Sequence, residues 1–113
     1  MRLPNSDHAS VDRQKLTNYL LCVSRPDGGS KAEFFARFGF RVEDWEVLAE
    51  ALRRHGAHHD VVYTVDSAYG TRYAVDGRLE TPDGRNPLVR TVWIIKGSRA
   101  PRLITAHPLE GPQ

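Results

Sequence analysis

Apolar positions recur at helical spacing through the first half of the chain and alternate through the second half. Over residues 12–21, Leu16, Tyr19 and Leu20 fall on one helical face. Asp12 stands where a carboxylate can accept the free amides of a first turn. Arg25-Pro26-Asp27-Gly28-Gly29 then breaks the pattern, because proline disfavours helix before it and two glycines loosen the backbone. Ser30-Lys31-Ala32-Glu33 reads as a capping box opening a second helix. Phe34, Phe35 and Phe38 give that helix an aromatic face, and Gly39 is placed to end it. A third helix is expected over residues 43–55, with Trp45, Leu48, Ala49 and Leu52 as its apolar stripe and Gly56 as its end.

Beyond Gly56 the period becomes two. Strands are expected over residues 61–65, 71–79, 88–96 and 102–107, with turns at 66–70, 82–84 and 97–101. In the second strand Tyr73, Val75 and Leu79 face one way, and Arg72, Asp76 and Arg78 the other. The third strand is apolar on both faces and should be central. Successive strands with short turns pair as an antiparallel meander. The helices must bury their stripes on one face of that sheet. The expected architecture is α+β: three N-terminal helices on one face of a four-stranded antiparallel meander, as a single domain over residues 1–113 with short flexible ends. The other sheet face stays open and should carry Arg72, Arg78 and Arg90.

Length and composition narrow the class. A chain of 113 residues with 40% hydrophobic positions can build one core. A lone cysteine, Cys22, excludes an internal disulfide and follows two leucines as a buried small apolar residue would. No stretch is apolar enough for a membrane span, and the first residues lack a signal peptide's apolar run. The expected location is therefore cytoplasmic. The net charge of +2 is only mildly basic. Arg72, Arg78, Arg85, Arg90, Arg99 and Arg102 fall in the second half, while Glu43, Asp44, Glu46 and Glu50 share one helix. This is either a polarised surface or a plain solvated one.

Several segments together resemble a known family. They are Lys15-Leu16-x-x-Tyr19-Leu20-Leu21, Lys31-Ala32-x-Phe34-Phe35-x-x-x-Gly39-Phe40, Tyr69-Gly70-x-x-Tyr73, Arg90-Thr91-Val92-Trp93-Ile94-Ile95 and Pro101-Arg102-Leu103-Ile104-Thr105. They resemble a bacterial domain of unknown function (number 6883) found in small stand-alone proteins and at the C-terminal tips of polymorphic toxins. Its helices-then-sheet layout is similar to the nuclease fold of barnase, RelE-like toxins and colicin RNases. That resemblance implies metal-free RNA cleavage by analogy of fold. One departure stands out. Many members carry His-Pro-x-Gly before the second helix, where this chain has Arg25-Pro26-Asp27-Gly28. An arginine cannot shuttle protons near neutral pH, although it can hold a phosphate.

Metal-free RNA cleavage needs a base for the 2′-hydroxyl, cations for the developing phosphorane charge and an acid for the leaving oxygen. The candidate catalytic set is Lys31, Arg90, Thr105 and His107; Arg25, Tyr69, Arg72 and Thr91 are candidates for substrate binding. Arg90 sits among apolar residues of a central strand, so it needs either a carboxylate such as Asp76 or a task. Lys31 begins a helix whose dipole it opposes, where it is either an exposed cap residue or a phosphate contact. Thr91 and Thr105 are good strand formers as well as hydroxyl donors. His107 is the best-placed histidine for proton transfer. Tyr69 is the aromatic freest to stack on a base, whereas Tyr73 and Trp93 belong to the core. His55, His58 and His59 are expected in a polar loop, since no cysteine or paired carboxylate completes a zinc pattern. No metal and no cofactor are expected. RNA and a cognate antitoxin or immunity protein are the candidate partners, and oligomeric state is left open. The alternative reading is a non-catalytic binding module, either the partner in a toxin–antitoxin-like pair or a degenerate family member.

Overall fold

The alternating half of the chain forms the expected sheet. In the computed structural model, which describes residues 1–21 and 29–109, four antiparallel strands lie in the order β1-β2-β3-β4. They are β1 (Val61–Ser67), β2 (Gly70–Arg78), β3 (Leu88–Ile95) and β4 (Arg102–Pro108). Val75 of β2, Val89 and Trp93 of β3, and Leu103 and Ala106 of β4 are buried together with the helices. The opposite face carries three cross-strand rows: Asp76–Arg90–His107, Ala74–Val92–Thr105 and Arg72–Ile94–Arg102. A bulge at Ile104 restores the alternation of β4 between the last two rows.

The helical half consists of α1 (Arg13–Lys15), α2 (Gly29–Arg37) and α3 (Trp45–His58), of which the first is shorter and less regular than the spacing suggests. Asp12 caps α1 as expected, accepting the amide of Gln14 at 3.0 Å. The chain then widens into a π-helical turn over Leu16–Leu20, closed by Leu21 N–H donating to Leu16 O at 2.8 Å. Leu16, Leu20 and Leu21 all reach the core. The α2 helix ends as expected at Gly39, whose φ of 100° suits a left-handed cap. The Phe40 amide closes that cap on Phe35 O at 3.2 Å. The proposed capping box depends on Ser30, whose side chain lies outside the described residues, as do Cys22 and Arg25.

Two expectations are corrected. Gly56 does not end α3, which runs two residues further to His58. A β-carbon at Gly56 would lie 2.7 Å from the Trp93 ring, so glycine here permits helix and sheet to touch. Nor are residues 1–10 a loose lead. Leu3 and Ala9 are buried. Met1 O accepts the Val61 amide at 2.7 Å, and Ser10 bridges the outer edge of β4 beside Arg102. Two buried side chains and these backbone bonds dock the segment. Residues 110–113 lie outside the described chain. No helix among the described residues is long and apolar enough to cross a membrane.

Candidate functional site

The sheet face opposite the helices gathers the candidate chemistry. Arg90 and Asp76 are direct neighbours on β3 and β2. Arg90 Nε donates to Asp76 Oδ1 at 2.7 Å and its Nη2 donates to Oδ2 at 2.8 Å. The pair is about one quarter exposed, at 26% and 24%. Its carboxylate holds the guanidinium more firmly protonated than usual. Tyr63 of β1 adds its ring, with the Arg90 guanidinium 5.1 Å from the ring centroid. The two alternatives for Arg90 are thus decided as regards its partner: Asp76 answers its charge, while one quarter of the side chain stays open to solvent.

His107 is Arg90's neighbour on the other side, on β4. It is half-buried. Burial first, and then the positive charges of Lys31 and Arg90, push its imidazole below the ordinary value; Asp76 pulls weakly the other way. Its resting form near neutrality is therefore the neutral ring, able to accept a proton. From α2, Lys31 Nζ donates to Thr105 Oγ1 at 3.0 Å. Thr105 stands two residues before His107 on β4, on the Arg90 side of the sheet. Lys31, Arg90, Thr105 and His107 thus come together from three elements.

The other candidates disperse. Thr91 does not line the open face. It is fully buried, and its hydroxyl accepts from Trp93 Nε1 at 2.9 Å and lies 3.0 Å from His55 Nδ1. His55 is not in a loop either but on α3, 2% exposed. Its Nε2 lies 2.8 Å from Val89 O and 3.0 Å from Gly77 O. Two carbonyls there require the proton on Nε2, so Nδ1 accepts from Thr91. Trp93, Thr91 and His55 form one satisfied chain inside the core, and desolvation drives the His55 pKa down. Alternation from Arg90 on the open face already sends Thr91, the next residue of β3, toward the core. Tyr69 sits 70% exposed at the tip of the β1–β2 hairpin. Arg72 lies on the open face, two rows from Arg90. Arg25 lies outside the described residues.

Tyr63 and Asp76 complete the site from β1 and β2, and neither belongs to the candidate set read from the sequence. Asp76 was legible as a partner for Arg90. Tyr63 carried no signal, because a bulge near Val62 sets which face it takes.

The family model described as Domain of unknown function (DUF6883) matches residues 2–110. The chain belongs to the DUF6883 family. Its members are thus the setting for this site, and each of the four gathered residues lies within the matched segment. No curated protein matches this DUF6883 chain. Among solved structures, it is similar to a chain of the contact-dependent growth inhibition toxin–immunity protein complex from Klebsiella pneumoniae 342. The match covers 95% of this chain and 98% of that one, with a TM-score of 0.71 and 18% identity. At that identity the likeness is one of fold.

Proposed function

We propose that this chain is an RNA-cleaving, toxin-type domain that works without a metal, acting in the cytoplasm on single-stranded RNA. The observation that carries the reading is the meeting of a neutral, half-buried His107 with Lys31 and Arg90 on an uncovered sheet face. In the proposed reaction His107 takes the proton from a 2′-hydroxyl. The freed oxygen attacks the adjacent phosphorus and the bond to the 5′-oxygen breaks, leaving a 2′,3′-cyclic phosphate. Arg90, aimed by Asp76, and Lys31, held by Thr105, face the charge that builds on the phosphorane oxygens. The Lys31 ammonium is the donor available to the leaving oxygen. The similarity of fold to a chain of a growth-inhibition toxin–immunity complex supports placing the domain in such a system.

The test is incubation of purified protein with total RNA in chelator, beside His107→Ala and Arg90→Ala. Loss of a general base should lower the rate about 10²–10⁴-fold. Intact RNA at high wild-type concentration sinks the proposal.

One observation favours a second reading, a non-catalytic partner protein of the antitoxin or immunity kind. Asp76 already answers the Arg90 charge, and β1 leaves Val62, Tyr63 and Val65 about half exposed on an edge strand. Stable co-elution with the product of a neighbouring toxin gene, combined with inert RNA, would select this reading.

A further inference from the structure

Four cations that the cleavage site does not use share one end of the same face. Arg72 and Arg102 flank Ile94 on either side, as its direct neighbours on β2 and β4. Lys96 and Arg99 follow in the β3–β4 turn, which closes with Arg99 N–H on Lys96 O at 3.1 Å. Between β4, the turn and Ser10 lies a depression of about 230 Å³, lined by Ser10, Ile94, Lys96, Arg99, Ala100 and Arg102. Not one carboxylate lines it.

Arg2, Arg41, Arg53, Arg54, Arg85 and Arg90 each reach a carboxylate. Arg72, Lys96, Arg99 and Arg102 reach none among the described residues, and all four are exposed. Arg13, Lys15, Arg37 and Arg78 also reach no carboxylate among the described residues, but none of them lines this depression. Like charges gathered without counter-charge repel one another, so the arrangement favours an anion from outside. The floor between this end and the His107 row is small and apolar: Ala74, Val92 and Ile94. From Arg90 to Ile94 is four residues of strand, about 14 Å. The face is therefore a shallow track with four cations at one end and Arg90, its partner Asp76 and His107 at the other.

We infer that the Arg72–Lys96–Arg99–Arg102 cluster is a second phosphate site, which grips the backbone of a single-stranded RNA whose scissile phosphate lies at His107. This rests on the cleavage reading and adds to it the length and path of the substrate: the RNA runs across the rows, parallel to β3 and β4, from the β3–β4 turn to His107. A chain of phosphates fits because the two ends of the track are too far apart for one anion.

The test is fluorescence anisotropy with a short labelled single-stranded RNA, in a His107→Ala background that keeps the RNA intact. The combined change Lys96→Gln, Arg99→Gln and Arg102→Gln should weaken binding at least about tenfold at moderate salt. It should also flatten the plot of log Kd against log salt by about 2, since each lost contact to single-stranded nucleic acid removes about 0.7. All three side chains are exposed, and an unchanged melting temperature verifies the fold. With His107 restored, the triple variant should show a raised KM and an unchanged kcat on this RNA. On a dinucleotide, too short to reach both ends, it should match wild type. Unchanged affinity and salt slope in the triple variant overturn the second site while leaving cleavage intact. Absence of RNA binding by the His107→Ala protein overturns the second site directly, and cleavage itself is judged separately by wild type on total RNA.

Discussion

Asp76 and Arg90 face each other across β2 and β3, joined by two hydrogen bonds of 2.7 and 2.8 Å. The bidentate fork fixes the guanidinium plane and leaves its remaining donors for another ligand. It also brings a negative charge within reach of His107, opposing the burial and the two cations that keep that ring neutral.

Asp76→Asn keeps the size of the side chain and removes its charge. Because the pair is about one quarter exposed, the loss in stability should be about 1 kcal/mol or less. RNA cleavage should fall by more than that loss implies, because Arg90 is no longer aimed. Chemical denaturation and a cleavage assay on the same preparation separate the two effects. Full activity in Asp76→Asn would show that the fork has no catalytic bearing.

The pH–rate profile follows from His107. Its folded pKa lies below the ordinary imidazole value, and the proposed role requires the neutral form. The rate should therefore hold level as pH falls to about 6.5, then drop as pH passes through the depressed pKa. An acid limb beginning well above about 6.5 would contradict the assignment.

Stability should also fall in acid, through His55. Its folded pKa is depressed by burial, so the unfolded chain binds the proton more readily. The contribution is present in full above the unfolded value of about 6.5 and is lost as pH falls from there through the folded pKa. Urea midpoints measured from pH 7.5 downward should decline through this window, and more steeply than in a variant lacking His55. A flat midpoint across the window would show that the ring stays solvated.

Thr91→Val should destabilise without touching RNA chemistry. The change strips the partner from Trp93 Nε1 and from His55 Nδ1, both buried. Leaving such groups unsatisfied costs about 1–3 kcal/mol each. The measurement is the denaturation midpoint alongside RNA affinity, which should match wild type. Weakened RNA binding in a folded Thr91→Val protein would return Thr91 to the site.

Gly56→Ala should cost about 1–3 kcal/mol through overpacking, even though alanine is the better helix former. The added methyl would meet the Trp93 ring at 2.7–2.9 Å. A gain in thermal stability would mean that helix and sheet can separate without loss.

The sequence alone carried the order of elements, because each depends on neighbours along the chain. Alternation placed four strands, and short turns forced them into a meander. Asp12 and Gly39 marked helix ends through local backbone chemistry. Alternation in β2 put Arg72 and Asp76 on one face, the open face on which Arg90 is also expected. Contacts between distant segments left no such mark. Gly56 reads as a helix stop until Trp93 is seen against it, and nothing local shows that His55 will meet Thr91. The meeting of Lys31 with Thr105 spans 74 residues. Strand pairing and the docking of α2 beside β4 decided it, since only packing brings a helix start and a late strand to one place.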